Sequence, residues 1–562
     1  MKKHSIYAII AAAALAASCS LEEKSYTSVS REQYMEDAAQ AESVLLGVYS
    51  DMGVDGIYRY NLSFLFDLPN DQAKAEGNSV VGTRMIPANA YTSTQAEIQN
   101  TWAALYKAIY DANLFIESVQ DKMSSWEESD QALGEYYIAE AKALRGMMYF
   151  ELVRWYGHVP LMTSSGQSLN AAKVPQADPA DVYAFIEKDL KEAAEVLPYA
   201  SDDNLRTSNG WRMSKGAVLG LLAKVYATWA GQPLNDTSKW ADAAAAAGEV
   251  IKSGKHSLLP DFQTLWTNAA NNVWAPEESL IEISFYSAQS TTVSSGRIGK
   301  WNGVTAQNGS IKGNYNIALY RAIPMFLAEW PDHSRDKCWA LSFADYKYTT
   351  STGKTAIFTY TDENGKTQDG TFELACAEDA KQSLKKNAVN NLTPGKWDIE
   401  RYVKDENQVQ DNNLSNVNWY ILRYSDVLLL YAEALNEANN GPTSEAYDAI
   451  NQVRRRAYGF STSRPSYVAD LAGMDYETFR QAVRNERGRE LAYEGHRRQD
   501  LVRWGIYYES VKQTELDYML WDETGADYYI AGQYTQKNKN ELLPIPQREV
   551  DLCGYKQNEG WK

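Results

Sequence analysis

Residues 143–157 read ALRGMMYFELVRWYG, and residues 181–197 read DVYAFIEKDLKEAAEVL. Both stretches carry apolar residues three and four apart with charges between them, the spacing of a helix buried along one stripe. Glycine and proline punctuate the loop between them, so the chain turns back and the second helix lies against the first. The same couplet returns as KGAVLGLLAKVYATWAG (215–231) with WADAAAAAGEVIKSG (240–254), and again as DVLLLYAEALNEANNG (426–441) with TSEAYDAINQVRRRA (443–457). Each first helix is rich in Ala, Leu and Tyr, and each second helix turns small residues back toward it. The fold class is therefore mostly α, built from helical hairpins.

Tetratricopeptide hairpins pack in this way, with small residues letting the paired helices approach closely. No strict 34-residue period holds, so the pattern predicts a tetratricopeptide-like scaffold with irregular connections. Helices are expected over 33–50, 100–119, 131–156, 179–197, 213–230, 238–253, 420–440, 443–457 and 475–503. Two long stretches break the pattern, residues 51–100 and residues 260–420, the second rich in Asn, Gly, Thr and Ser with scattered aromatics. The second holds a strand candidate, ESLIEISFY (278–286), and a hairpin candidate, TAIFTYTDENGKTQDGTFEL (355–374), turning near Asn364-Gly365. Irregular insertions on a helical frame are where binding function concentrates. Residues 31–562 read as one domain.

The chain has 562 residues, 44% hydrophobic and 23% charged, which suits a large core and not general disorder. Its 38 Tyr and 16 Trp far outnumber its 13 Phe, a bias toward rings with a polar handle. Net charge is −18, and loss of the segment bearing Lys2 and Lys3 makes it −20, a field that repels nucleic acid. The opening MKKHSIYAIIAAAALAASCS is a secretory signal pattern too short to span a bilayer. Leu15-Ala16-Ala17-Ser18-Cys19 resembles a bacterial lipobox, although leucine stands four places before the cysteine where the pattern has three. Residues 1–18 are thus expected to be a signal peptide, Cys19 the lipidated first residue, and 19–30 a tether. Glu22 and Glu23 resemble a surface-export signal of Bacteroidota lipoproteins. Acyl chains on Cys19 would hold firmly, each buried CH₂ contributing roughly 0.8 kcal/mol. Cys338, Cys376 and Cys553 are too few for a disulfide framework, and at most one bridge can form among them.

ERGRELAYEGHRRQDLVRWG (486–505) concentrates charge, with Glu486, Glu490 and Glu494 four apart on an expected helix. Glycoside cleavage needs two carboxyls facing each other about 5 to 9.5 Å apart, whereas one helix face presents a single row. The row reads as a structural ionic network, neutralised by Arg487, Arg489, Arg497 or Arg498. Arg497 and Asp500 are expected to lock this helix against the one bearing Arg423 and Asp426, as a buried clasp that fixes packing. The five histidines form no HExxH and no close pair, so no metal site is expected. No GxSxG, GxxxxGK[ST] or strand-borne GxGxxG occurs, and no catalytic residue is named.

Over nearly its whole length the chain resembles the SusD/RagB family of outer-membrane lipoproteins. The resemblance rests on WAALYKAIYDAN (102–113), AEAKALRGMMYFELVRWYGHVPL (139–161), RYSDVLLLYAEALNEA (423–438), INQVRRRA (450–457), NERGRELAYEGHRRQDLVRWG (485–505), LLPIPQREV (542–550) and QNEGW (557–561). It implies a helical core with an irregular ligand-facing half and no catalytic activity. It also implies a glycan ligand, surface exposure on the outer membrane through the lipid anchor, and a SusC-like TonB-dependent transporter as partner. No cofactor is implied, and the sequence leaves a structural calcium open. Some relatives of this type take peptides, which is the alternative reading. An all-helical glycosidase or polysaccharide lyase is the rival from another class.

Family members that bind glycans do so with aromatic rings and polar side chains drawn largely from the two irregular regions, since sugar C–H faces lie on Trp or Tyr while hydroxyls need polar partners. The first insertion offers Asp67, Asn70, Asp71, Arg84 and Tyr91, from FDLPNDQAKAEGNSV and ANAYTST. The second offers Trp274, Tyr286, Trp301 and Asn302. Trp102, Tyr106, Trp155, Trp229 and Trp504 read as helix core, and Tyr60, Trp266 and Trp330 as undecided.

Overall fold

A computed structural model describes residues 35–206, 210–287, 294–306, 316, 318–328, 330, 332, 334–349, 353–377, 380–404, 411, 413–522 and 528–562. The expected signal peptide, Cys19 and the tether lie outside the described residues.

The expected helices form, and two that the periodicity did not place, Phe262–Ala270 and Tyr507–Trp521, join them. In chain order they are α1 (Ala38–Asp51), α2 (Ala96–Lys122), α3 (Glu128–Tyr156), α4 (Pro179–Val196), α5 (Lys215–Ala230), α6 (Lys239–Lys252), α7 (Phe262–Ala270), α8 (Tyr424–Asn439), α9 (Ser444–Ala457), α10 (Tyr476–Glu490), α11 (Arg497–Arg503) and α12 (Tyr507–Trp521). Their ends follow local chemistry. Asp178 accepts from the Ala180 N–H with Pro179 at the first helical position of α4, and Thr443 and Asp475 cap α9 and α10 in the same way. Asn440 closes α8 in the left-handed region at φ 51°.

The three expected hairpins are present: α4 packs on α3, α6 on α5, and α9 on α8. Further contacts of α4 with α5 and of α6 with α8 join the hairpins into one array, and α2 and α10 lie on its flanks. The strands are short. β1 (Ala73–Ala75) pairs antiparallel with β3 (Tyr320–Ala322), and β2 (Ser279–Ile283) with β6 (Trp419–Arg423). β4 (Phe358–Thr361) and β5 (Thr367–Gly370) form the expected hairpin, its turn held by Asp362 and by Gly365 at φ 77°.

Two expected helix boundaries are corrected. Residues 419–423 are strand, because Trp419 to Arg423 pair with β2 before α8 begins. The helix expected over 475–503 is two helices, broken at 491–496. Gly495 sits at φ 76°, and a Cβ there would fall 2.4 Å from the Ser63 carbonyl, so the chain turns where only glycine fits. Glu494 therefore lies in the turn and not on the row with Glu486 and Glu490.

The ionic network is buried, but tertiary neighbours supply most of its pairs. Arg423 reaches Glu494 at 2.7 Å, Glu490 at 2.9 Å and Glu278 at 3.0 Å, and Arg456 bridges Glu278 and Glu490. Lys396 holds Glu494 at 2.7 Å, and Glu486 pairs with Arg454 and with Arg489. Asp426 is held by Arg487 at 2.7 Å and by Lys224, while Asp500 is held by Arg487 and Arg503. The expected clasp is corrected at Arg497, which turns outward to Asp71 at 2.7 Å. Among the described residues the Arg498 guanidinium forms no ion pair; it donates to Phe66 O, Asn540 O and the Tyr91 hydroxyl. Burial raises the Asp500 carboxyl, but Arg487 and Arg503 outweigh it and hold the group down to about 2.

Cys338, buried, and Cys553, half-buried, are free thiols. The Cys376 side chain lies outside the described residues.

Candidate functional site

The two insertions meet at the β1–β3 pairing, and a cluster of aromatic and charged side chains stands beside it. The Lys300-Trp301-Asn302 turn is pinned from below. Gly299 takes φ 79° with a Cβ position 2.9 Å from the Trp397 carbonyl, and its N–H donates to Asn302 Oδ1 at 2.7 Å. The Trp301 carbonyl accepts the Tyr320 N–H of β3 at 3.1 Å. So held, the half-buried Trp301 ring meets the edge of half-buried Tyr60, centroids 5.5 Å apart at 69°. The Arg297 guanidinium lies 5.3 Å from the Tyr60 ring and 5.8 Å from Trp301. Asp55 fixes it through two bonds, 3.0 Å to Oδ1 and 2.8 Å to Oδ2. Burial raises the Asp55 carboxyl, yet the Arg297 bonds outweigh that and keep it below its ordinary value. Apolar ring surface thus stands beside an oriented, charged hydrogen-bonding pair, the composition that receives a ring with an apolar face and a polar edge.

Five of the expected site residues are partly or fully exposed. Trp301 belongs to this platform. Arg84 lies at its edge, bonded to Glu76, and its charge acts on the Tyr60 hydroxyl. Tyr286 is 54% exposed on a neighbouring segment, since Phe285 packs against Gly296 just before Arg297. Trp274 is half-buried beside Trp211, ring centroids 6.4 Å apart, as a separate pair.

Asp71 is the fifth, its partly exposed side chain held by Arg497, and the other four expectations are corrected, because those side chains are buried in the fold. Asp67 is buried, accepting from the Arg498 N–H at 2.9 Å and the Tyr320 hydroxyl at 2.8 Å. Buried Asn70 accepts from the Gln72 and Ala73 N–H groups, which starts β1. Tyr91 is 2% exposed, stacked on Trp561 at 5.1 Å. Asn302, fully buried, holds the Trp301 turn from beneath. Short polar loops require internal hydrogen-bond partners, and these residues supply them. Asp55, Tyr60 and Arg297 complete the platform. The Asp55 to Arg297 contact spans 242 positions and left no local signal. Of the other undecided rings, Trp266 and Trp330 are buried.

A cavity of about 1330 Å³ opens elsewhere, between the loop after α3 and the C-terminal segment. Its rings are already engaged. Trp561 stacks on Tyr91 and carries Lys539 over it, and Arg484, Arg497 and Arg503 surround Trp504. Among the described residues, no three His, Cys, Asp or Glu side chains are placed to hold a metal ion together, and no helix is long and apolar enough to cross a membrane.

A family model described as "SusD family" matches residues 328–561, and one described as "Starch-binding associating with outer membrane" matches residues 21–227. The crystal structure of a SusD homolog from Bacteroides thetaiotaomicron is 48% identical, with TM-score 0.89 over 96% of this chain and 100% of that one. SusD-like protein P25 of Formosa agariphila is 24% identical over 95% of this chain and 93% of its own. Surface glycan-binding protein A of Bacteroides thetaiotaomicron, solved with laminarihexaose, shares 18% identity over 92% of this chain and 99% of that one, with TM-score 0.64, a likeness of fold.

Proposed function

The chain belongs to the SusD family, and from that premise we propose that it is a glycan-binding protein of the outer membrane without catalytic activity. Anchored through Cys19 and exposed at the cell surface, it captures oligosaccharide or polysaccharide and delivers it to a SusC-like TonB-dependent transporter. The observation that carries the reading is the half-buried Tyr60–Trp301 platform with its Arg297–Asp55 pair, set where the two insertions meet. The glycan-binding descriptions of structural relatives support it. Lack of catalysis fits the carboxylates of the charged motif, since Glu486, Glu490 and Glu494 are each buried against cations. A shallow, open platform buries only part of a ligand, so modest affinity is expected.

Calorimetry or affinity electrophoresis against a polysaccharide panel tests the reading. Trp301→Ala is expected to weaken binding about tenfold, equivalent to ~1.4 kcal/mol, with the melting transition kept. Unchanged affinity in both Trp301→Ala and Tyr60→Ala would remove the platform from the site. Release of shortened products from a bound polysaccharide would refute the absence of catalysis. Cys19→Ala is expected to move the protein out of the membrane fraction.

A further inference from the structure

The strand pairing that joins the insertions sets two cations against each other. Lys74 of β1 lies directly opposite Arg321 of β3, and they are only 4% and 5% exposed. Like charges opposite one another across strands repel, and a buried charge requires compensation. Among the described residues, the carboxylate facing them is Glu76, which Arg84 already holds at 2.9 Å while also donating to the Glu76 backbone carbonyl. Otherwise the two donate to backbone oxygens. Lys74 reaches Ala75 O at 3.4 Å, and Arg321 reaches Asn390 O at 3.1 Å, Tyr320 O at 3.3 Å and Ala318 O. Carbonyl dipoles do not neutralise a full charge. Among the described residues three cations therefore share one carboxylate, in a chain whose net charge is −18. Burial, with Arg321 alongside, depresses the Lys74 ammonium to about 7, in keeping with the missing counter-charge.

This cluster adjoins the platform. The Tyr320 N–H, one residue before Arg321, donates to the Trp301 carbonyl, and Arg84 acts on the Tyr60 hydroxyl. Glu76 and Arg84 form its open side, their side chains 43% and 29% exposed. The Glu76 carboxylate thus occupies the place an external anion would take.

We propose that Lys74, Arg84 and Arg321 form a subsite for the anionic substituent, a carboxylate or a sulfate ester, of a glycan lying on Tyr60 and Trp301. The proposal deepens the glycan-binding reading and rests on it. An incoming anion displaces Glu76 from Arg84 and supplies the charge that Lys74 and Arg321 lack. The overall negative field disfavours indiscriminate adsorption of polyanions, so binding of an acidic polymer reports this local site.

The test compares polygalacturonate, dextran sulfate and neutral laminarin by affinity electrophoresis and calorimetry. At least one acidic polymer is expected to bind about tenfold tighter than laminarin, and the two acidic arms separate carboxylate from sulfate. Arg84→Gln is expected to remove that preference with an unchanged melting transition. Glu76→Gln is expected to strengthen acidic binding several-fold, a change in the opposite direction that loss of folding cannot mimic. Added salt should erode the preference. Laminarin binding that depends on Trp301, without acidic preference, would overturn the subsite and leave the glycan-binding reading intact. Acidic binding indifferent to both substitutions would also overturn the subsite. Absence of binding to all three polymers would overturn the subsite, and the broader panel would then decide the glycan-binding reading separately.

Discussion

Arg423 sits among three carboxylates, whereas Lys74, as deeply buried, faces another cation and a backbone oxygen. Both lie within the same domain and both are closed off from water. Around Arg423 each buried charge has a partner at hydrogen-bond distance, and the result is a rigid joint among α8, α9, α10 and the turn that follows it. Around Lys74, among the described residues, the one facing carboxylate, Glu76, is shared with Arg321 and held by Arg84. Buried ions that balance specify packing, while buried ions that do not balance have been kept despite their cost. The difference separates the frame of this molecule from the part we propose to meet a ligand.

The largest expected effect breaks the balanced side. Arg423→Met leaves Glu278, Glu490 and Glu494 short of a partner and is expected to cost about 3–5 kcal/mol in urea unfolding. Lys74→Met has the opposite sign. It removes a cation that must share its facing carboxylate and is expected to raise stability by about 1 kcal/mol.

Acid and alkali sharpen the same contrast. Asp500 is held at about 2 against an ordinary 3.8, so its contribution is complete above the ordinary value and disappears as pH falls through about 2. That loss amounts to about 2–3 kcal/mol, read from the unfolding midpoint at successive pH. Lys74, lowered to about 7 from 10.5, favours the folded state increasingly as pH rises from about 7 to about 10.5. Lys74→Met should abolish that alkaline rise and leave the acid loss untouched. The smallest expected effect is at Tyr286→Ala. Stability should hold within about 0.5 kcal/mol, and any fall in glycan affinity would show that the platform extends to this exposed ring.

The helical scaffold was legible because helix formation and pairing are written locally. The three couplets and the Asn364-Gly365 turn follow from residues a few places apart. The break at Gly495 escaped periodicity because it depends on the Ser63 carbonyl more than four hundred residues away. The proposed site was less legible, and only Trp301 of the expected residues stands in the Tyr60–Arg297 cluster. Loop Asp and Asn have the same chemistry whether they meet a sugar or their own backbone, and Asp67, Asn70 and Asn302 serve the backbone.

Periodicity and long family motifs were enough to determine a helical-hairpin frame with two irregular insertions, because periodicity depends on neighbours within one or two turns of chain. Only the tertiary structure decided that Arg497 turns to Asp71, that Asp55 orients Arg297 between Tyr60 and Trp301, and that Lys74 confronts Arg321. These contacts join residues hundreds of positions apart. Whether a side chain is compensated, buried or presented depends on what folding brings to it from elsewhere in the chain.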